Sequence, residues 1–317
     1  MIEYTERIRK IAKELLEQEK VKVFIGFQKG SVPMMNQPIL ITDPSQADLL
    51  YWDSHCGLNL CNYLTKRPDE KIGILATGCN SRNIMTHIIE NQIKREQLYI
   101  VGIPCRGMID HRAVQRAVKQ KEITEIKEEG EKFIVKGKDF EETFEKKEYL
   151  QGNCAVCTHR NPVEYDELVG DLVEEQTGVE GYKDVKNIEG MESEKRWGFF
   201  TRLIERCIRC YACRNACPLC YCPTCFVDES KPQWVGKSID PTDTMTFHFL
   251  RAYHCAGRCT DCGACERVCP RGISMRQFTK KLNKDALEYF SWEAGLSHDE
   301  RPPLDTYRPD DYNDFVK

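Results

Sequence analysis

Eighteen of the 317 residues are cysteine, and most fall in tight C-x2-C spacings rather than at scattered positions. A chain this long that opens Met1-Ile2-Glu3-Tyr4, with no basic, apolar and cleavable leader, does not read as a secreted disulfide scaffold. The thiols are therefore expected to bind metal in a reducing, cytoplasmic compartment. Two runs carry most of this argument: Cys207-x2-Cys210-x2-Cys213-x3-Cys217-Pro218 and Cys259-x2-Cys262-x2-Cys265-x3-Cys269-Pro270. Each matches the bacterial ferredoxin run, in which three thiolates wrap one 4Fe-4S cubane and the fourth, next to proline, reaches the other cluster. Cluster one is thus expected on Cys207, Cys210, Cys213 and Cys269, and cluster two on Cys259, Cys262, Cys265 and Cys217. A zinc ribbon needs four ligands, not two four-cysteine runs each closed by proline.

Other cysteines extend the pattern less sharply. Between the runs stand Cys220, Cys222, Cys225 and Cys255, with His254 beside the last. They read either as an additional metal site or as thiols packed around the clusters, since cysteine is among the most buried residue types. Cys79 and Cys105 each follow an apolar strand-like run, and in a parallel sheet both would lie on the carboxyl rim, where ligands bind. With Cys154-x2-Cys157 they would complete a third cubane, or else be two core thiols and one unrelated pair. The turn Thr77-Gly78-Cys79-Asn80-Ser81-Arg82 opens a helix, and its free amides, Ser81 and Arg82 suit a phosphate or pyrophosphate.

The elements that must position these groups follow from periodicity. Ile8, Ile11, Ala12, Leu15 and Leu16 fall at helical spacing, and Val21 to Phe27 reads as a strand ending in a glycine turn. Lys71 to Thr77, the helix face Ile84, Met85, Ile88, Ile89 and Ile93, and Leu98 to Ile103 form a βαβ crossover. Charge is dense from Lys119 to Leu150, where Phe133, Val135, Phe140 and Phe144 mark short antiparallel strands. Ten acidic and three basic side chains in 166–195 read as a linker. The expected division is 1–165, the acidic linker 166–195, a cysteine-dense module at 196–290 and a tail at 291–317. Trp234 and Trp292 read as packing. Net charge is −4 and mean hydropathy −0.55, which gives no basic stripe for nucleic acid and no run near the roughly 18 apolar residues that cross a bilayer.

Several short blocks together resemble a known family. Gly26-Phe27-Gln28-Lys29-Gly30, Asn59-Leu60 before Tyr63-Leu64, Ala76 to Arg82, Gly102-Ile103-Pro104-Cys105 and Cys154-x2-Cys157 are similar to the beta subunit of coenzyme F420-reducing hydrogenase and its formate dehydrogenase relatives. The resemblance covers about residues 20 to 172, and the formate dehydrogenase subunits, which also carry paired ferredoxin motifs, are nearer. It implies an α/β flavin-type domain with a βαβ unit, followed by a C-terminal α+β dicluster ferredoxin-like domain. It also implies FAD beside the third 4Fe-4S cluster, at Gly26, Gly30, Asn59, Thr77, Gly78, Ser81, Arg82, Gly102 and Pro104. The implied function is an electron-transfer subunit of an oxidoreductase that exchanges hydride with coenzyme F420 or another two-electron carrier. Its partner would be a catalytic subunit of formate dehydrogenase or hydrogenase type, with a heterodisulfide reductase-like protein or a ferredoxin as a second candidate. The competing reading is a scaffold or assembly subunit whose clusters or zinc only hold the fold. In this chain Asn80 follows Cys79 where the family more often has Asp, and Cys56 and Cys61 flank the Asn59 block.

Overall fold

The computed structural model describes residues 2–65, 67 and 69–303, so residues 304–317 of the expected tail lie outside the described part. Helix α1 (Ile2–Glu17) buries Ile8, Ile11, Ala12, Leu15 and Leu16 along one stripe. The chain then enters β1 (Val23–Gln28), which pairs antiparallel with β2 (Gln37–Ile41) and parallel with β3 (Ile72–Ala76). From β3, helix α2 (Gly78–Ile89) leads to β4 (Leu98–Gly102), and the register runs from Ile72 opposite Leu98 to Ala76 opposite Gly102. This is the βαβ unit expected from the sequence. Every residue of β3 is buried, as a parallel strand covered on both faces requires.

Helix α3 (His111–Ala117) follows, and then β5 (Ile123–Glu129), β6 (Lys132–Gly137) and β7 (Phe140–Glu145) form a separate antiparallel sheet in that order. Phe133 and Val135 point inward from β6 onto Val114 and Val118, while Lys132 is exposed and Ile134 and Lys136 are half-buried on the other face. After α4 (Gly152–Ala155), β8 (Glu167–Leu168) adds to β4 and completes the order β2-β1-β3-β4-β8. The acidic stretch thus differs from a free linker. Asp166 accepts from the Ile100 amide at 2.7 Å and from Arg95 at 2.8 Å. Further on, α5 (Lys183–Glu189) sets Glu189 against Lys281 and Lys284. Its acids are counter-ions for elements on both sides.

The C-terminal part consists of α6 (Ser193–Glu205), α7 (Ala212–Asn215), α8 (Pro241–His254), α9 (Ala264–Arg267) and α10 (Arg276–Phe290). Among the described residues it contains no strand, so the expected α+β character is corrected to helices joined by cysteine loops. Trp292 does pack, donating to the Gly257 carbonyl at 2.6 Å, whereas Trp234 is 64% exposed. Ten of the twelve α2 residues are buried, Asn80, Arg82, Asn83, Thr86 and His87 among them. The reason is that the polar side of α2 meets the C-terminal module: His87 pairs with the Pro218 carbonyl at 2.9 Å and Thr260 donates to Asn83 at 2.8 Å.

Candidate metal centre

Both ferredoxin-like runs have the same backbone design. The residues on either side of the second cysteine are left-handed in each: Arg209 and Tyr211 at φ 49° and 59°, Asp261 and Gly263 at 57° and 73°. Such turns aim successive amides into one concavity, where they favour an anion. The Arg209 amide reaches Cys207 Sγ at 3.4 Å, and the Asp261 and Ala264 amides stabilise the charged forms of Cys259 and Cys262. Cys213 lies in the electrostatic reach of Cys207, Cys210 and Cys269, and all four line one small cavity with Phe247 and His248. Cys217 instead faces Cys259 and Cys265. Cys269 thus lies with the first three cysteines of the other run, and Cys217 with Cys259 and Cys265.

The remaining set gathers on the carboxyl rim of the larger sheet. Cys79 stands in the first turn of α2, Cys105 lies just past β4, and Cys154 and Cys157 come from α4 and the loop after it. Cys105 is in the electrostatic reach of Cys154, Cys79 and Cys157. The four line a cavity of about 280 Å³ that Cys259 and Cys262 also line. Burial pushes Cys154 up to about 12 and Cys157 up to about 11, so bare thiols here are neutral and a bound metal would be needed to hold them as thiolates.

The polar groups at the start of α2 face the Cys79 sulfur and the chain's own backbone. The Cys79 and Asn80 amides point at Cys79 Sγ, and Thr77 Oγ1 lies 3.4 Å from it. A Cβ on Gly78 would stand 2.1 Å from the His159 carbonyl oxygen, so the cysteine-bearing loop occupies the approach. Ser81 is fully buried, donating to the Gly78 carbonyl at 2.9 Å and accepting from the Val163 amide at 3.0 Å. Arg82 donates to the Ala294 carbonyl at 2.9 and 2.7 Å and pairs with Glu293 at 3.0 Å. Ser81, Arg82 and Gly78 do not fit a pyrophosphate in this arrangement.

Of the residues expected around a flavin, Asn59, Thr77, Gly78 and Arg82 line the large cavity together, whereas Gly26, Gly30, Gly102 and Pro104 lie outside it. Asn59 lines the large cavity but caps a short turn through Cys61 and bonds Asn83. Gly26 and Gly30 permit close packing, with a Cβ at 2.7 Å from Leu50 and 1.8 Å from the Met35 carbonyl, respectively. Gly102 packs against Pro162 and Tyr165, and Pro104 borders a second cavity.

The expected grouping of Cys220, Cys222, Cys225 and Cys255 does not assemble. Cys220 and Cys255 instead lie with Cys217, all three sulfurs within 4.8 Å of one another. Cys222 is exposed, Cys225 packs against the cluster of Val227, Val235 and Phe247, and His254 stacks edge-on against Phe226. Sequence reasoning missed two residues of α8. His248 Nε2 lies 3.2 Å from Cys207 Sγ, and burial lowers this imidazole to about 3, leaving it neutral. Arg251, 5% exposed, donates to the Cys213 carbonyl at 3.0 Å and faces Cys217 and Cys265, with no carboxylate in ion-pair range among the described residues. The signal was present as a helical stripe: Thr244, Phe247, His248 and Arg251 share the buried face.

Comparison with known proteins first defines the class of the C-terminal part: residues 203–273 match the family described as 4Fe-4S dicluster domain. The chain is also 24% identical over 92% of its length to the F420-dependent formate dehydrogenase subunit beta of Methanocaldococcus jannaschii, of which it covers 92%. It is 24% identical, again over 92% of its length, to the F420-dependent formate dehydrogenase 1 subunit beta of Methanococcus maripaludis, covering 90% of that protein. A chain of the F420-reducing [NiFe] hydrogenase complex from Methanosarcina barkeri aligns at a TM-score of 0.39 and 14% identity, over 49% of this chain and 59% of that one. The resemblance read from the short blocks is borne out: this chain is similar, nearly end to end, to formate dehydrogenase beta subunits.

Proposed function

We propose that this chain is the iron–sulfur electron-transfer subunit of an oxidoreductase complex of formate dehydrogenase type, with cubane sites on Cys207, Cys210, Cys213 and Cys269, on Cys259, Cys262, Cys265 and Cys217, and on Cys79, Cys105, Cys154 and Cys157. The observation that carries this reading is the single cavity lined by the rim cysteines together with Cys259 and Cys262. In this reading the third set and the second face each other across that cavity, and the exchanged fourth ligands tie the second to the first. When bound, each cluster would supply one-electron chemistry. The chain's own residues do the rest: cysteines anchor, left-handed turns aim amides at sulfur, and His248 and Arg251 offer a hydrogen bond and a positive charge.

The finer parts of the proposal are a catalytic partner subunit, a two-electron carrier such as coenzyme F420, and FAD. The α2 start does not fit the FAD pyrophosphate. The second cavity, about 340 Å³, shares Cys105 and Arg160 with the first and is also lined by Arg106 and Lys147, so it is the place proposed for the flavin. Cytoplasmic residence is part of the same reading; among the described residues no helix is long and apolar enough to cross a membrane. Anaerobic purification with iron, sulfide and flavin analysis tests the whole. A brown protein that a reductant bleaches is expected, and a colourless zinc protein would establish the scaffold reading instead.

A further inference from the structure

One group of ligating side chains outside the cysteine sets has no role in the electron path. Asp53 and His55 come from the loop after β2, and Glu128 comes from β5. One ligand atom from each lies within 4.8 Å of the other two, and His55 Nε2 is 3.8 Å from Glu128 Oε1. The His55 residue is 2% exposed and its two ring nitrogens have no hydrogen-bond partner. Buried imidazoles are normally satisfied on at least one nitrogen, so an orphan aimed at two carboxylates calls for a ligand.

The carboxylates are already oriented. The Ser54 amide and hydroxyl donate to Glu128 at 2.8 and 3.0 Å, and Lys146 donates to its Oε2 at 2.5 Å. Asn36 and the His55 amide both reach Asp53 Oδ1 at 2.7 Å. Lys146 and Arg267 supply positive charge nearby, yet neither donates to the imidazole; Arg267 bonds the His55 carbonyl at 3.2 Å.

We propose that Asp53, His55 and Glu128 form a mononuclear site for a divalent first-row cation, separate from the iron–sulfur cysteines. Two carboxylate oxygens and one imidazole nitrogen suit Zn²⁺, Fe²⁺ or Mn²⁺. Donors about 2.1 Å from such an ion stand roughly 3 to 4 Å apart, so closure needs a movement of less than about 1 Å. Asp53 and Glu128 also line the second cavity, on the side away from the Cys105 and Arg160 end shared with the first, which gives the ion an entry path.

Because cysteines compete for zinc, the probe is Mn²⁺, added to cluster-loaded protein after EDTA dialysis and followed by electron paramagnetic resonance. One Mn²⁺ is expected to bind per chain. His55→Gln and Glu128→Gln are each expected to weaken binding by more than about tenfold while cluster absorption is unchanged. In protein carrying nitrogen-15 histidine, electron spin echo modulation should show one imidazole nitrogen coupled to the bound Mn²⁺, a readout that depends on no variant folding. Failure of the unaltered protein to bind Mn²⁺, equal binding by the variants, or bound Mn²⁺ without nitrogen coupling would each overturn the site.

Discussion

Arg251 shows what a single residue contributes to such a centre. A guanidinium cannot shed its charge, and in this burial the nearest groups able to answer it are the thiols of Cys213, Cys217, Cys255 and Cys265. Reduction adds negative charge to a cluster, so a fixed cation between two of them raises both potentials. Arg251→Met is expected to lower both midpoints, by on the order of 50 mV for a charge several ångströms away at intermediate dielectric. Redox titration followed by electron paramagnetic resonance measures this, and unmoved potentials would mean that the charge is screened. Cys217→Ala is expected to alter the signal of the cluster on Cys259, Cys262 and Cys265 while leaving the one on Cys207, Cys210 and Cys213 intact. The opposite pattern would mean that each run ligates its own cluster.

At the scale of elements, α2 is where reading from sequence falls short. Its apolar face was legible from Ile84, Met85, Ile88 and Ile89, and the strands on either side from their apolar runs, because those patterns are local. Ser81 and Arg82 at its start read as a phosphate site, and its polar side was otherwise not read; that side is the seam with the C-terminal part, a contact made with residues more than a hundred positions away. Two expectations follow. Gly78→Ala forces a Cβ against the His159 carbonyl and should deplete iron from the rim cysteines while the dicluster part keeps its own. Arg82→Ala removes charge-assisted bonds to the Ala294 carbonyl and Glu293, and should cost about 2 kcal/mol in chemical denaturation. An Arg82→Ala protein of undiminished stability with loss of bound flavin would restore the phosphate reading of this turn.

Across the whole molecule, legibility follows sequence distance. The dicluster part could be read because cubane ligation needs thiols a few residues apart and a proline after the fourth. The rim set could be read because a βαβ unit places both strand ends on one edge. The trio of Cys217, Cys220 and Cys255 could not, since Cys255 is brought in by the end of α8, and neither could Asp53, His55 and Glu128, which two separate elements bring together. What unites the chain in the function proposed here is a route from the rim cysteines through the shared cavity to the dicluster part. The measurement that tests this most directly is iron and sulfide content with Mössbauer spectra of the anaerobically purified protein, beside its Cys157→Ala variant. Three cubanes require about twelve iron atoms per chain, falling to about eight when the rim set is broken, with the dicluster spectrum preserved. About eight iron atoms in both proteins would contradict the account, because the rim cysteines would then hold no cluster and the route would end at Cys259 and Cys262.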